Sequence, residues 1–439
     1  MKTKPLFRET RLFGQDLFPE LKNIESITSF ELVAQSALRK QLLSKYLLCY
    51  SNPKSYMTKP AVLLFALVMF FITNLVSANS QSKGEDKLSD LLRRATIGWN
   101  TDWSKHSIEY RELLSGGPPR DGIPPIDQPK FIDNQQAEQW LAPNDPVIAL
   151  ELNGDARAYP LQILTWHEIV NDTVGEIPIT ITFCPLCNSA IAFERHYQGT
   201  TYDFGTSGLL RHSDLVMYDQ HTESLWQQFT GEAIVGAMTG EQLKMIPAGL
   251  IGFEQFQVAY PTGKVLSKET GYSREYGRNP YPGYDDIHNN PFLFRDPVDK
   301  RLPAMARVVT ISDGQYHNAY PVTLLEKVGV IHHQLGDKSL VVFHQAGVSS
   351  ALDATRIANG IDVGATGVFI PVVGNQELIF VSRAGKIFDE QTGSHWNIVG
   401  QALQGPLKGK QLKRLVHADQ FWFSWAAFQP DTLIYQLEE

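Results

Sequence analysis

Three cysteines in 439 residues leave little sulfur to distribute, and other absences narrow the chemistry further. No Gly-x-Gly-x-x-Gly and no phosphate loop occur, which removes the sequence support for a nucleotide cofactor. No Gly-x-Ser-x-Gly elbow forms around Ser207, Ser213 and His212, so a hydrolase triad has no foothold. A basic surplus is missing too: 39 Lys and Arg stand against 47 Asp and Glu, a net charge of −8. Nucleic acid and anionic lipid both demand basic surface, so no nucleic-acid partner is expected. Long apolar runs are absent apart from one, residues 61–72.

That run follows Lys59 and leads to Val76-Ser77-Ala78, a small-x-small triplet before a polar, Ser-rich stretch. A basic flank, an apolar stretch and such a triplet are the layout of a secretory signal. Residues 57–78 are therefore expected to be a signal peptide or anchor starting at Met57, with 1–56 a non-native extension that also contains Cys49. The run is short for a bilayer span. The expected location is exported, periplasmic or extracellular, with membrane attachment only if 61–77 stays uncleaved. Outside the cytosol, two thiols can be a disulfide, an exchange pair or metal ligands.

What remains is organised around Ile179 to Ala190. A β-branched run enters Phe183-Cys184-Pro185-Leu186-Cys187, and Asn188-Ser189 turns the chain away. Residues 79–144 read as a leader, with a short helix at 88–92, and a Pro/Gly-rich arm too apolar at its end to be a free linker. Pro146 to Leu152 and Ala156 to Tyr159 flank Asn153-Gly154, a hairpin signal. Residues 161–170 suggest a short helix or turn. Residues 190–195 and 200–204 flank Gln198-Gly199 as a second hairpin.

An internal repeat adds a control. Ala158-Tyr159-Pro160 recurs as Ala319-Tyr320-Pro321, and the Asp219, Thr222, Trp226 pattern recurs as Asp389, Thr392, Trp396. Gly231, Gly236, Gly240 and Leu243 are answered by Gly400, Gly405, Gly409 and Leu412. The expected fold is mainly β, a β-rich α+β protein with an internally duplicated β unit and few short helices. Its units are 145–262 and 303–439, joined by a connector at 263–302. The motif kept in both units makes Trp226 and Trp396 core anchors. The thiols are not kept: aligning Phe183 with Phe343 sets Cys184 against His344 and Cys187 against Gly347. The single site is therefore expected in the first unit, and His332-His333 reads as surface or structure.

Taken together, Phe183 to Ala190, Phe204 to Gln220, Thr222 to Ala233, Arg120 to Asp127 and His167 to Asp172 resemble the DUF3179 proteins, a family of unassigned function. Some members carry selenocysteine in the motif similar to Cys184-Pro185-Leu186-Cys187. The resemblance implies redox chemistry, because selenocysteine is seldom used for bracing.

Three readings of the thiols follow. In the first they are a redox dithiol, Cys184 the better-exposed sulfur and Cys187 its partner, tuned by His167 and His212 and acting on a small-molecule or protein thiol/disulfide partner. In the second, the same four residues bind copper or zinc without catalysis. A zinc site wants four ligands, so His167, His212, Glu168 or Asp214 must complete the set, whereas Cu(I) accepts two thiolates alone. In the third, an inert disulfide closes a tight turn in a scaffold. No other cofactor is expected.

Overall fold

Turn chemistry sets the strand plan. Asn153 and Gly154 both take left-handed backbone, φ 50° and 81°, the geometry of a two-residue hairpin turn. They join strands Pro146–Leu152 and Asp155–Pro160 in antiparallel register. The computed structural model describes residues 93–94 and 96–437. It is strand-rich, and the α-helices with described bounds hold only four or seven residues.

Six sheets of four or five strands carry the fold, three from residues 113–266 and three from residues 307–434. Their plan recurs. Strand Gly249–Gly252 pairs with Pro146–Leu152, then comes Asp155–Pro160, then Lys264–Leu266, the last pairing parallel. Ala418–Phe421, Arg307–Ser312, His317–Pro321 and Leu433–Ile434 follow in the same order, again ending in a parallel pairing. Helices Leu161–His167 and Val322–Val328 leave equivalent strands, as do Phe253–Ala259 and Trp422–Phe428.

Another sheet in each half repeats a bulge, at Leu225/Trp226 and at His395/Trp396. Both indoles are fully buried there. Each donates its N–H to an aspartate at 2.9 Å, Trp226 to Asp219 and Trp396 to Asp389. The large apolar ring is thus buried with its one polar atom satisfied, the condition for an indole to stabilise a core.

Register corrects the internal alignment by one residue. Ile169 faces Thr182, and Val330 faces Phe343, across equivalent strand pairs. Phe183 N–H donates to Glu168 O just as His344 N–H donates to Gly329 O. Gln345, not His344, therefore stands where Cys184 stands. Matching the two phenylalanines by letter slips the strand by one, which turns every side chain to the opposite face. The turn holding Cys187 has no direct counterpart, because strands Lys338–Gln345 and Ala365–Ile370 are joined by a long loop.

The arm is ordered on the first set of sheets, Leu113–Ser115 beside Phe204–Arg211 and Phe131–Asp133 beside Lys264–Leu266. The connector packs Tyr276, Tyr281, Tyr284, Leu293 and Phe294 against the core that contains the cysteines. Strand Ala418–Phe421 lies against Ser189–Glu194, and its counterpart Gly249–Gly252 lies against Ala365–Ile370. Each half thereby closes the other's core.

Two further expectations are corrected. The Gln198-Gly199 hairpin holds only His196–Tyr197 against Thr200–Thr201, because Ser189–Glu194 pairs instead with the thiol strand and Met245–Ile246. The membrane-anchored location is withdrawn: among the described residues no helix is long and apolar enough to cross a membrane. The run 61–77 on which it rested lies outside the described residues. So do the signal expected at 57–78, the extension 1–56 and the helix at 88–92.

Candidate metal centre

Strand Ile177–Cys184 is buried along its last six residues, so its end delivers Cys184 into the core. Pro185 and Leu186 make the turn, with Cys187 N–H donating to Cys184 O at 3.3 Å. Asn188 closes it at φ 52°, a left-handed position that asparagine tolerates better than most residues. Ser189 then pairs with Cys184 and starts the return strand. Both sulfurs end on one side of a four-residue turn as free thiols, buried to 2% and 0% exposure. The closed disulfide of the scaffold reading is not what the structure holds.

Asp214 comes from a second tight turn. His212 and Ser213 both take positive φ, 53° and 69°, between paired Arg211 and Asp214. The turn presents Ser213 O at 3.9 Å from Cys184 Sγ and points the Asp214 carboxyl inward. Its Oδ2 accepts from Gln227 Nε2 at 2.5 Å and from Phe229 N–H at 3.0 Å, while Oδ1 has no hydrogen-bond partner. One carboxylate oxygen of Asp214, Cys184 Sγ and Cys187 Sγ all lie within 4.8 Å of one another.

Burial governs the electrostatics. It raises Asp214 to about 7 and, with Asp214 adding repulsion, raises Glu168 to about 8. It also pushes the Cys184 thiol up and the Cys187 thiol well up, each further opposed by neighbouring negative charge. Among the described residues no Lys, Arg or His forms an ion pair with Glu168 or Asp214. Four acidic groups are thus buried, and among the described residues no ion pair offsets either carboxyl.

The walls come from distant segments. Phe421 N–H donates to Cys187 O at 3.0 Å, and Tyr284 O–H to Leu186 O at 3.0 Å. The Ser424 hydroxyl bears on Cys187. Gln420 Nε2 donates to Ser189 Oγ at 3.1 Å. The second half and the connector therefore cover a turn built by the first.

The family model for proteins of unknown function numbered DUF3179 matches residues 120–432, a span that includes every residue of this centre. The chain belongs to the DUF3179 family. Neither the curated proteins nor the solved structures contain a match to it.

Within this DUF3179 chain the two candidate histidines are placed elsewhere, which corrects their assignment. His167 is buried, but Nδ1 donates to Pro124 O at 2.7 Å and Nε2 meets Tyr276 O–H at 2.7 Å. Both ring nitrogens are occupied, and burial lowers the pKa of the imidazole. The physical reason is the helix end: Glu168 at φ 57° reverses the backbone, and His167 faces the arm through Pro124. His212 pairs with Asp296 through Nδ1 at 2.6 Å and approaches Glu112 at 3.6 Å. Its place in the turn sends the imidazole outward and leaves Asp214, two residues on, to face inward.

Asp214 and Glu168 were legible only as two of four residues able to complete a metal set. Tyr284, Ser424 and Phe421 had no sequence signal beyond a Tyr-rich connector. Chemically, the DUF3179 centre offers two soft sulfurs and a hard oxygen that could hold a metal ion.

Proposed function

We propose that this DUF3179 protein binds a thiophilic metal ion, zinc or copper, through Cys184, Cys187 and Asp214. One observation carries the reading: the three ligand atoms converge within 4.8 Å in the interior. As protonated groups they bury polar atoms with few partners. A cation displaces the protons, satisfies Asp214 Oδ1 and compensates the burial that raises all four groups, along with the neighbouring negative charge that adds to it at Glu168, Cys184 and Cys187. The thiol-exchange reading asks for the reverse, an accessible sulfur with a lowered pKa, and burial works against both requirements.

The test is elemental analysis of the full chain purified without chelator, with thiol titration on the same sample. About one equivalent of zinc or copper is expected, as for a single closed site, and Cys184→Ser should lose it. Protein that stays metal-free when offered zinc or copper(I) would sink the reading.

A redox role is the second reading, favoured by one observation: Asp214, raised to about 7, is placed to accept a thiol proton at neutral pH. Metal-free protein whose two thiols cycle readily with a mild reductant and oxidant would support it, at the expense of the first.

We also infer that 145–262 and 303–439 are copies of one unit, flanked by the arm 79–144 and joined by 263–302. The recurrent sheet order and the shared bulge support this. Across family sequences, copies should keep Asp219 with Trp226 and Asp389 with Trp396; independent loss of either pair would refute common origin.

A further inference from the structure

The residue after each bulged tryptophan is used differently in the two halves. Gln227 and Asn397 occupy the same backbone place. Gln227 N–H donates to Glu232 O and its carbonyl accepts from Gly231 N–H, just as Asn397 N–H donates to Gln401 O and its carbonyl accepts from Gly400 N–H. In the second half the side chain braces its own turn. Asn397 Oδ1 accepts from Val399 N–H at 3.2 Å and from Gln401 N–H at 2.8 Å, and Nδ2 donates to Gln401 Oε1 at 2.9 Å. Gln227 leaves its turn instead. It is fully buried and donates through Nε2 to Asp214 Oδ2 at 2.5 Å. Among the described residues its Oε1 has no hydrogen-bond partner. A buried carbonyl without a donor is costly, so the contact with Asp214 is kept against that cost.

The contact sorts the two oxygens of Asp214. Phe229 N–H also donates to Oδ2, at 3.0 Å, so both donors converge on one oxygen. The other, Oδ1, is buried and has no partner among the described residues. A carboxylate gripped at one oxygen is held in a fixed plane and offers the other. We infer that Gln227 is the positioning residue of the metal centre, holding Asp214 by Oδ2 so that Oδ1 binds the ion as a single-oxygen ligand beside the two sulfurs, an inference that rests on the metal reading above. Binding through both oxygens would bring the ion against the two N–H groups already on Oδ2, which repel a cation. Phe229 contributes through its backbone, so the amide of Gln227 is the part of this grip that a side-chain change can remove.

The experiment measures zinc affinity by competition with a chromophoric chelator, and the thermal midpoint without metal. The proteins are the full chain, Gln227→Met, Gln227→Glu and Asn397→Leu. Methionine fills a similar volume with neither the donor nor the unpartnered oxygen; glutamate keeps the length and, once ionised, lacks the donor. Both Gln227 variants should bind zinc about tenfold or more weakly, the loss usual when a ligand's supporting hydrogen bond is removed. Gln227→Met should melt within a few degrees of the parent, since an unsatisfied carbonyl leaves together with the lost bond. Asn397→Leu should show the reverse, a lower midpoint with zinc affinity kept. Cobalt(II) in place of zinc reads the ligand set directly. In Gln227→Met its thiolate charge-transfer band should persist while its d–d bands shift, because the sulfurs stay and the carboxylate turns. Zinc affinity and cobalt spectra unchanged in both Gln227 variants overturn the assignment while the metal reading stands. A loss of zinc affinity in Asn397→Leu equal to theirs assigns the effect to loosening of the fold and overturns it too. A parent chain that takes up neither zinc nor cobalt(II) overturns it by removing the site itself.

Discussion

The two halves of this DUF3179 protein share a scaffold and differ at every position of the candidate centre. Asp219 and Trp226 hold the first half's bulged sheet as Asp389 and Trp396 hold the second's. Where the first half has Cys184, the second has Gln345, and where it has Glu168, the second has Gly329. The hairpin that presents Asp214 spans Phe204–Arg211 and Asp214–Asp219, but its counterpart spans only Phe380–Arg383 and Lys386–Asp389. Each strand of the counterpart is shorter, four residues against eight and four against six. Scaffold and chemistry are therefore separable: one set of residues keeps the sheets in place, and another loads a single turn with acidic groups.

The largest effect expected from this comparison is on the scaffold. Trp226→Ala and Trp396→Ala should each lower stability by about 3–5 kcal/mol, the range for truncating a buried aromatic. Chemical denaturation measures this, and a cost confined to one tryptophan would break the equivalence of the sheets. Next comes the chemistry. Cys184→Ser should weaken zinc binding by more than about a hundredfold, beyond the usual loss from a supporting residue, whereas Gln345→Ser at the matching position should leave it unchanged. Titration with zinc distinguishes them; equal effects would mean that the centre is not confined to the first half.

A third expectation concerns pH. Asp214 and Glu168 are held near 7 and 8, well above their ordinary values of 3.8 and 4.5. Between these values the folded protein holds protons that the unfolded chain releases. Their contribution is fully present below the ordinary values and is lost as pH rises through 7 to 8. Unfolding of metal-free protein at acidic and alkaline pH should show this decline, and Asp214→Asn should flatten it. An unchanged slope in the variant would mean that other buried groups, such as Asp419, govern the profile.

The smallest effect is on the backbone. Glu168→Gly should stabilise the metal-free protein by about 1 kcal/mol by removing left-handed strain. Gly329→Ala should destabilise it, since the added Cβ would also meet the Ser382 side chain at 2.5 Å. A destabilised Glu168→Gly would show that the glutamate contributes packing which the comparison with Gly329 overlooks.

Much of the scaffold was readable because its signals are local. Asn153-Gly154 announces a hairpin through backbone preference alone, and the β-branched run to Phe183 announces a strand. The paired Asp and Trp motifs marked both anchors. The repeat also contained its own correction, since the step from Tyr159 to Tyr320 is one residue longer than the step from Phe183 to Phe343, and only strand pairing exposes which step is right. The histidines misled for a related reason. His167 is near the thiols in sequence terms, but both of its ring nitrogens are taken up by Pro124 O and Tyr276 O–H.

By itself, the sequence determined that two cysteines share a tight turn between strands, because Pro185 and Asn188 impose it with only short-range geometry. Tertiary structure alone decided that this turn is buried, that Asp214 joins it, and that strand Ala418–Phe421 covers it. Burial and charge proximity depend on segments that meet across more than 200 residues of chain, as Phe421 N–H meets Cys187 O. No local pattern encodes such a contact. The same cysteines would be ordinary thiols on a solvated loop, and it is the low dielectric made by the whole fold that raises their protons' affinity.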